Sequence, residues 1–170
     1  RKETVVEGDG FVVGGMAKGA AMLSPKMATM LAVLTTDADL TPAELKDALT
    51  AGVAHSFNAL SVDGCQSTND TVLLLASGRA GRPADLVAFH DAVAAACLHL
   101  AEQMAGDAEG ATKLVRVHVT GAASDADAEA AARRIADSAL CKCSWYGEDP
   151  YWGRVASEAG SAGVHFDQAL

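Results

Sequence analysis

The chain has 170 residues, half of them hydrophobic and 21% charged, an ordinary globular composition with enough length for a real core. A formal net charge of −9, with no Lys/Arg cluster inside the acidic total, excludes the basic footprint of a nucleic-acid binder. No run of about eighteen apolar residues occurs, so no transmembrane helix is expected, and the polar start Arg1-Lys2-Glu3-Thr4 leads into no signal-peptide core. With no initiator Met, the chain is expected to begin inside a longer, cytoplasmic protein.

Thr4–Glu7 and Phe11–Val13 read as short strands joined by a turn at Gly8-Asp9-Gly10. Gly14-Gly15 and Gly19 suggest a loop or a close backbone approach. Met27–Thr35 is an apolar run of strand length. Thr41-Pro42-Ala43-Glu44 is a strong helix start: Thr41 caps, Pro42 fits the first helical position, and Glu44 completes a capping box. That helix is expected to reach about Asn58, followed by a strand at Leu60–Val62 and a turn at Asp63-Gly64.

Asn69-Asp70 ahead of Thr71–Ala76 fits either a helix cap or the approach to a buried strand, and the capping residues favour the helix. From Pro83 to Met104 the apolar residues Leu86, Phe89, Val93, Cys97, Leu100 and Met104 step by three or four, giving one helical core face. Lys113–Thr120 alternates like a half-buried strand, with His118 and Arg116 on the polar side. Ser124 starts a helix with acids in its first turn and Arg133-Arg134 near its end, matching the helix dipole. Its inner face is Ala128, Ala131, Ala132 and Ile135. Leu140–Trp145 reads as a strand, Pro150–Glu158 as a last helix, and Val164-His165-Phe166 as the start of a further strand.

The four cysteines, Cys65, Cys97, Cys141 and Cys143, form no C-x-x-C pair, and with five scattered histidines they offer no metal-ligand spacing. No metal is expected, and the cysteines are expected to be reduced and buried. Gly8-Asp9-Gly10 with Gly14-Gly15 has the wrong spacing for a dinucleotide fingerprint. Asp63-Gly64-Cys65 and Ser67–Thr71 gather polar groups at a turn, where site lining and local capping are equally served.

On residue type alone Thr29 is a β-branched strand residue, and Lys18 and Glu109 are solvated loop charges. One chemical possibility sets Thr29 apart. Cleavage of the Ala28–Thr29 bond would give it an α-amine beside its own hydroxyl. An α-amine with a pKa of about 7.7–8.0 is a usable base near neutral pH, so a Thr nucleophile would need no separate His.

Three segments carry a resemblance that favours this possibility: Ala17-Lys18-Gly19 with Pro25–Leu31, Ser67-Thr68-Asn69-Asp70-Thr71, and Asp149-Pro150-Tyr151-Trp152-Gly153-Arg154. In order and spacing, along nearly all of the chain, the sequence resembles the ornithine acetyltransferase family of arginine biosynthesis, the bifunctional ArgJ-type glutamate N-acetyltransferases. The fold implied is α/β (mixed α+β), a layered sandwich with helices covering β-sheets, as in DmpA-type and ArgJ-type enzymes. The resemblance further implies self-cleavage between Ala28 and Thr29. Residues 1–170 would then be one partial domain from the middle of the enzyme: 1–28 end the α-chain region and 29–170 start the β-chain region, in an α2β2 assembly.

The implied reaction moves acetyl from N2-acetylornithine to glutamate by a ping-pong route through acetyl-Thr29. Lys18 and Glu109 match the family's substrate-contacting lysine and glutamate. No cofactor is implied, and acetyl-CoA is a possible co-substrate. The family's oxyanion donors, a Thr-Gly pair upstream, and its C-terminal substrate contacts fall outside this sequence, so the isolated chain is expected to be inactive. Two residues depart from the family pattern: Lys26 and Tyr151 stand where Asn is common, and Trp152-Gly153 beside the latter read as packing residues. The same resemblance leaves open a related N-terminal-nucleophile hydrolase or aminopeptidase, and a non-catalytic amino-acid-binding domain of the same fold.

Overall fold

The computed structural model describes residues 1–22, 30–65 and 69–165. They fall into two compact units, Arg1–Ala111 and Thr112–Leu170.

The first unit is built on a four-stranded sheet in the order β1 (Lys2–Gly8), β2 (Phe11–Lys18), β3 (Leu31–Ala38) and β4 (Thr71–Gly81). The first three strands are antiparallel and β4 runs parallel to β3. A parallel neighbour cannot be reached by a hairpin, so the chain must cross over between them. The crossover contains helix α1 (Pro42–Ala54) and a short 3-10 turn at Phe57–Ala59. Helix α2 (Leu86–Gly106) follows β4 and packs against α1, β1 and β2.

The two helices cover one face of the sheet. Phe11 and Val13 of β2 and Ala32, Leu34, Thr36 and Ala38 of β3 point into that layer and are buried. They meet the predicted α2 stripe, of which Phe89, Val93, Cys97, Leu100 and Met104 are buried. Phe11 and Phe89 pack edge to face with ring centroids 5.3 Å apart. Alternate residues on the opposite face, Val5, Met16, Leu31, Leu73 and Leu75, remain exposed. The mixed α+β class with helices layered on a sheet is thus as expected.

Several elements differ from the sequence reading. Gly14-Gly15 lie inside β2, not in a loop. A Cβ on Gly15 would sit 3.1 Å from Leu100 Cδ1 and 3.3 Å from Leu34 Cγ, so the glycine marks a close approach of strand to core. The apolar run forms a strand from Leu31 onward, and Met27–Thr29 lie outside the described residues. Residues 60–62 form no strand. Thr71–Ala76 belongs to β4, because the whole segment pairs in parallel register with β3.

The capping box at α1 is present, and it is reinforced from another element. Thr41 N–H and Oγ donate to Glu44 Oε2 at 2.9 and 2.8 Å, and Glu44 N–H donates back to Thr41 Oγ1 at 3.3 Å. The Arg82 guanidinium, just past β4, also binds both carboxylate oxygens. Hydrogen bonds from Arg82 and then Thr41 hold the Glu44 carboxyl well below its usual value, at about 2. A carboxylate lowered in the folded state stabilises the fold above its ordinary pKa, and that stabilisation is lost as pH falls through the lowered one. The melting temperature is therefore expected to drop between about pH 4.5 and pH 2. Glu44→Gln is expected to remove part of that dependence and to leave the melting curve near pH 2 almost unchanged; circular-dichroism melts across the range check both.

The second unit contains α3 (Asp125–Asp137), α4 (Ala139–Tyr146) and α5 (Trp152–Gly160), packed on one another. Ser124 caps α3 as expected, and Ala131 and Ile135 are its buried positions. Leu140–Trp145, expected as a strand, is helical because Ser138 Oγ accepts the Cys141 N–H and starts α4. Arg154 ties α5 to α4 through the Leu140 carbonyl at 3.2 Å and Ser144 Oγ at 2.7 Å. Trp152 is 78% exposed in this chain and is no packing residue here. Residues 113–120 form no strand, since a strand needs a neighbour to pair its main chain and no described segment supplies one. Lys113 instead donates to the Tyr146 carbonyl at 3.1 Å and pairs with Glu148 at 2.9 Å. His118 is exposed, as its position opposite the valines suggests. Phe166 lies outside the described residues.

Candidate active site

The end of β2 and the start of β3 lie at one end of the sheet. Lys18 pairs with Leu31, and Leu31 pairs with Thr71, so the three form one row across the sheet on its exposed face. The main chain of Glu109 reaches this end from the turn after α2. Its main-chain N–H donates to the Ala20 carbonyl at 2.7 Å, two residues beyond Lys18. The turn itself is closed by Ala111 N–H on the Ala108 carbonyl at 2.9 Å, with Gly110 in the left-handed region at φ 70°. The fold therefore brings Lys18 and Glu109, 91 residues apart in sequence (109 − 18), to one end of the sheet, both exposed. A cation and an anion placed so suit a ligand carrying both charges.

Ala28 and Thr29, the expected cleavage pair, lie outside the described residues, as does Lys26. The residues that flank the 23–29 segment are described, and both are held. Met30, 6% exposed, donates its N–H to Asp70 Oδ1 at 2.7 Å and accepts from Thr71 N–H at 3.1 Å. Met22 donates its N–H to Asp63 Oδ2 at 2.6 Å and sits at φ 54°, a region non-glycine residues rarely occupy. Asp63 Oδ1 also accepts Cys65 N–H at 3.0 Å across Gly64 at φ 72°. Burial pushes the Asp70 carboxyl above the usual range, and the Met30 amide opposes that rise.

Asp70 reaches 40 residues back in sequence, to the residue that precedes β3. Sequence reasoning noticed the polar groups at 63–65 and 67–71 but missed this role. The Asp-Gly turn at 63–64 was visible because it is local. The two bonds to Met22 and Met30 join residues about 40 apart in sequence and leave no local trace.

All four cysteines are free; Cys97 and Cys141 are buried as expected, whereas Cys65 and Cys143 are exposed. Burial raises the Cys97 thiol to about 11, which leaves it protonated and inert at neutral pH. His99 Nδ1 lies 3.2 Å from Thr4 Oγ1 on the helix side of β1. Among the described residues no group of three or more His, Cys, Asp or Glu could hold a metal ion. Nor, among them, is any helix long and apolar enough to cross a membrane.

The sequence matches the ArgJ family along residues 1–170. It is 50% identical over 160 residues to the arginine biosynthesis bifunctional protein ArgJ of Thermobifida fusca, covering 94% of this chain and 42% of that protein. It is 55% identical over 157 residues to the protein of the same name from Mycobacterium leprae, covering 92% of this chain and 39% of that one. The crystal structure of the arginine biosynthesis bifunctional protein ArgJ from Bacillus halodurans superposes with a TM-score of 0.75 at 42% identity, over 79% of this chain and 65% of that one. The chain thus spans about two fifths of the curated relatives it matches.

Proposed function

The chain belongs to the ArgJ family, and on that premise we propose that the gene product carrying it moves an acetyl group from N2-acetyl-L-ornithine to L-glutamate in arginine biosynthesis. The reading begins with self-cleavage between Ala28 and Thr29. The freed Thr29 α-amine takes the proton of the Thr29 hydroxyl, whose oxygen attacks the acetyl carbonyl. The tetrahedral intermediate collapses, the C–N bond breaks, and the proton leaves with the ornithine α-amine. Acetyl remains on Thr29 as an ester. The α-amine of glutamate then attacks that ester, N-acetylglutamate departs, and the hydroxyl is restored. No cofactor is consumed in this sequence, and both substrates are small and water-soluble, in keeping with a cytoplasmic enzyme.

Lys18 takes the α-carboxylate that both amino acids share, and Glu109 takes the cationic side chain that only ornithine carries. The observation that supports this assignment is the main-chain bond of Glu109 to Ala20, two residues beyond Lys18, at the end of the sheet where β3 begins, with Lys18 paired to Leu31, two residues after Thr29 in sequence. The oxyanion donors belong to other segments of the enzyme. Loss of such donors typically costs about 10²–10³ in rate, so the isolated chain is inactive on this reading.

Intact-mass measurement of the purified gene product tests the proposal. Two chains, the second starting at Thr29 and assembled as α2β2, are expected, together with ornithine release that depends on glutamate. Ornithine release to water alone at the same rate would make it a hydrolase. One uncut chain that binds amino acids without turnover would make it a binding domain. A separate arm with acetyl-CoA and glutamate asks whether acetyl-CoA is a second donor.

A further inference from the structure

Three consecutive residues of β1 are bonded to one stripe at the end of α2 that the proposed reaction does not use. β1 is an edge strand, and His99, Gln103 and Asp107 recur every four residues, on one side of the helix end. The Lys2 ammonium donates to Asp107 Oδ2. Glu3 donates its main-chain N–H to Gln103 Oε1 at 3.1 Å, and its carbonyl accepts from Gln103 Nε2 at 3.0 Å. Thr4 Oγ1 lies 3.2 Å from His99 Nδ1. Strand alternation accounts for the pattern: Lys2 and Thr4 turn their side chains to the helix, and Glu3, between them, meets it through its main chain.

We propose that Asp107, through its ion pair with Lys2, is a positioning residue for Glu109, fixing where the turn after α2 meets the strand end that carries Lys18. This rests on the reading of Glu109 as the partner of the ornithine side chain, and it adds two residues that reading does not assign.

Asp107 closes α2, its N–H donating to the Gln103 carbonyl at 3.1 Å. Two residues later the Glu109 N–H donates to the Ala20 carbonyl at 2.7 Å. Lys2, for its part, pairs in register with Ala17 of β2. The turn is therefore tied to the sheet twice, at Lys2 beside Ala17 and at Ala20, and Lys18 lies between those two points in sequence. Only Ala108 separates Asp107 from Glu109, and Ala108 is buried. One buried residue between two ties leaves the Glu109 main chain little room to move. The Lys2 side chain is 12% exposed, so packing along its stem directs the ammonium to the turn. Asp107 is 74% exposed and can be replaced without opening the core.

The test compares Asp107→Ala, Lys2→Met, Lys2→Arg, Glu109→Ala and the double variant Asp107→Ala/Glu109→Ala with the parent gene product. Hydrogen exchange in the peptide that contains the Glu109 amide, followed by mass spectrometry, reads the placement of the turn without any turnover. Single-turnover ornithine release and decay of the acetyl-enzyme with glutamate read the two half-reactions. Asp107→Ala and Lys2→Met are expected to speed that exchange about three- to fivefold, the scale of one ion pair with an exposed partner. They are expected to lower kcat/KM for acetylornithine by about the same factor and to leave the glutamate half within about twofold of the parent. Lys2→Arg keeps the charge and is expected to recover both. In the double variant, loss of Asp107 is expected to add nothing to the loss caused by Glu109→Ala, because two residues acting through one group are not additive.

Unchanged exchange and unchanged ornithine release in Asp107→Ala and Lys2→Met, with Glu109→Ala impaired, overturn the role of Asp107 and leave Glu109 standing. Equal losses in both half-reactions, or a loss that adds in full to that of Glu109→Ala, also overturn it, because that pattern is general damage to the fold. Parent-like ornithine release in Glu109→Ala would instead overturn the reading of Glu109 itself, while faster exchange in Asp107→Ala would still support the tie that Asp107 makes.

Discussion

Thr29→Ala is expected to leave a single uncut chain and to lower acetyl transfer by at least about 10⁴-fold, the scale on which covalent enzymes lose rate when their nucleophile is removed. The size follows from one atom serving two steps. Thr29 Oγ is the group proposed to attack the Ala28 carbonyl in cleavage, and later the acetyl carbonyl in transfer. Alanine removes it from both. Cys97 is no substitute, because it is in the core with its thiol raised to about 11. Thr29→Ser keeps the hydroxyl and is expected to cleave and to transfer. The pair of variants therefore separates loss of chemistry from loss of structure. Intact mass gives the cleavage result, and trapping of an acetylated downstream chain after mixing with acetylornithine gives the transfer result. An acetylated chain from Thr29→Ala would move the nucleophile elsewhere.

The helices whose signals are local were readable from sequence. Thr41 and Glu44 form the box their spacing announces, and Phe89, Val93, Cys97, Leu100 and Met104 are the buried face their period announces. Where the reading failed, the deciding interaction came from elsewhere in the chain. Thr71–Ala76 is apolar on both faces and has capping residues before it, so only its pairing with β3 makes it a strand. Residues 140–145 carry β-compatible side chains, yet the Ser138 cap and Arg154 from α5 make them helical. Residues 113–120 alternate like a strand and form none, because pattern alone cannot provide a neighbour. The site divides the same way. Lys18 and Glu109 were found through a family likeness, not through periodicity, and the main-chain bond from Glu109 to Ala20 that brings their segments together is a property of the fold. Asp70 had no local signal for its long-range bond.

The second large effect lies in how Lys18→Ala and Glu109→Ala divide between the two half-reactions. A charge-assisted bond contributes roughly 1.5–3 kcal/mol when shielded, which corresponds to about 10- to 150-fold in kcat/KM. Both side chains are exposed in this chain, so the lower part of that range applies unless the rest of the enzyme covers them. Acetylornithine presents an α-carboxylate and a cationic side chain, whereas glutamate presents an α-carboxylate and an anionic one. Lys18→Ala is therefore expected to lower kcat/KM about tenfold or more for both substrates. Glu109→Ala is expected to lower it for acetylornithine by a similar factor and to leave glutamate unchanged or improved, since a carboxylate near the acceptor's own side-chain carboxylate is repulsive. A ping-pong enzyme allows the halves to be measured apart: ornithine release in a single turnover reports the first, and decay of the preformed acetyl-enzyme with glutamate reports the second. Equal losses in both halves for Glu109→Ala would remove the charge-matching role assigned to it and leave Lys18 as the one side chain of the pair that senses a substrate charge.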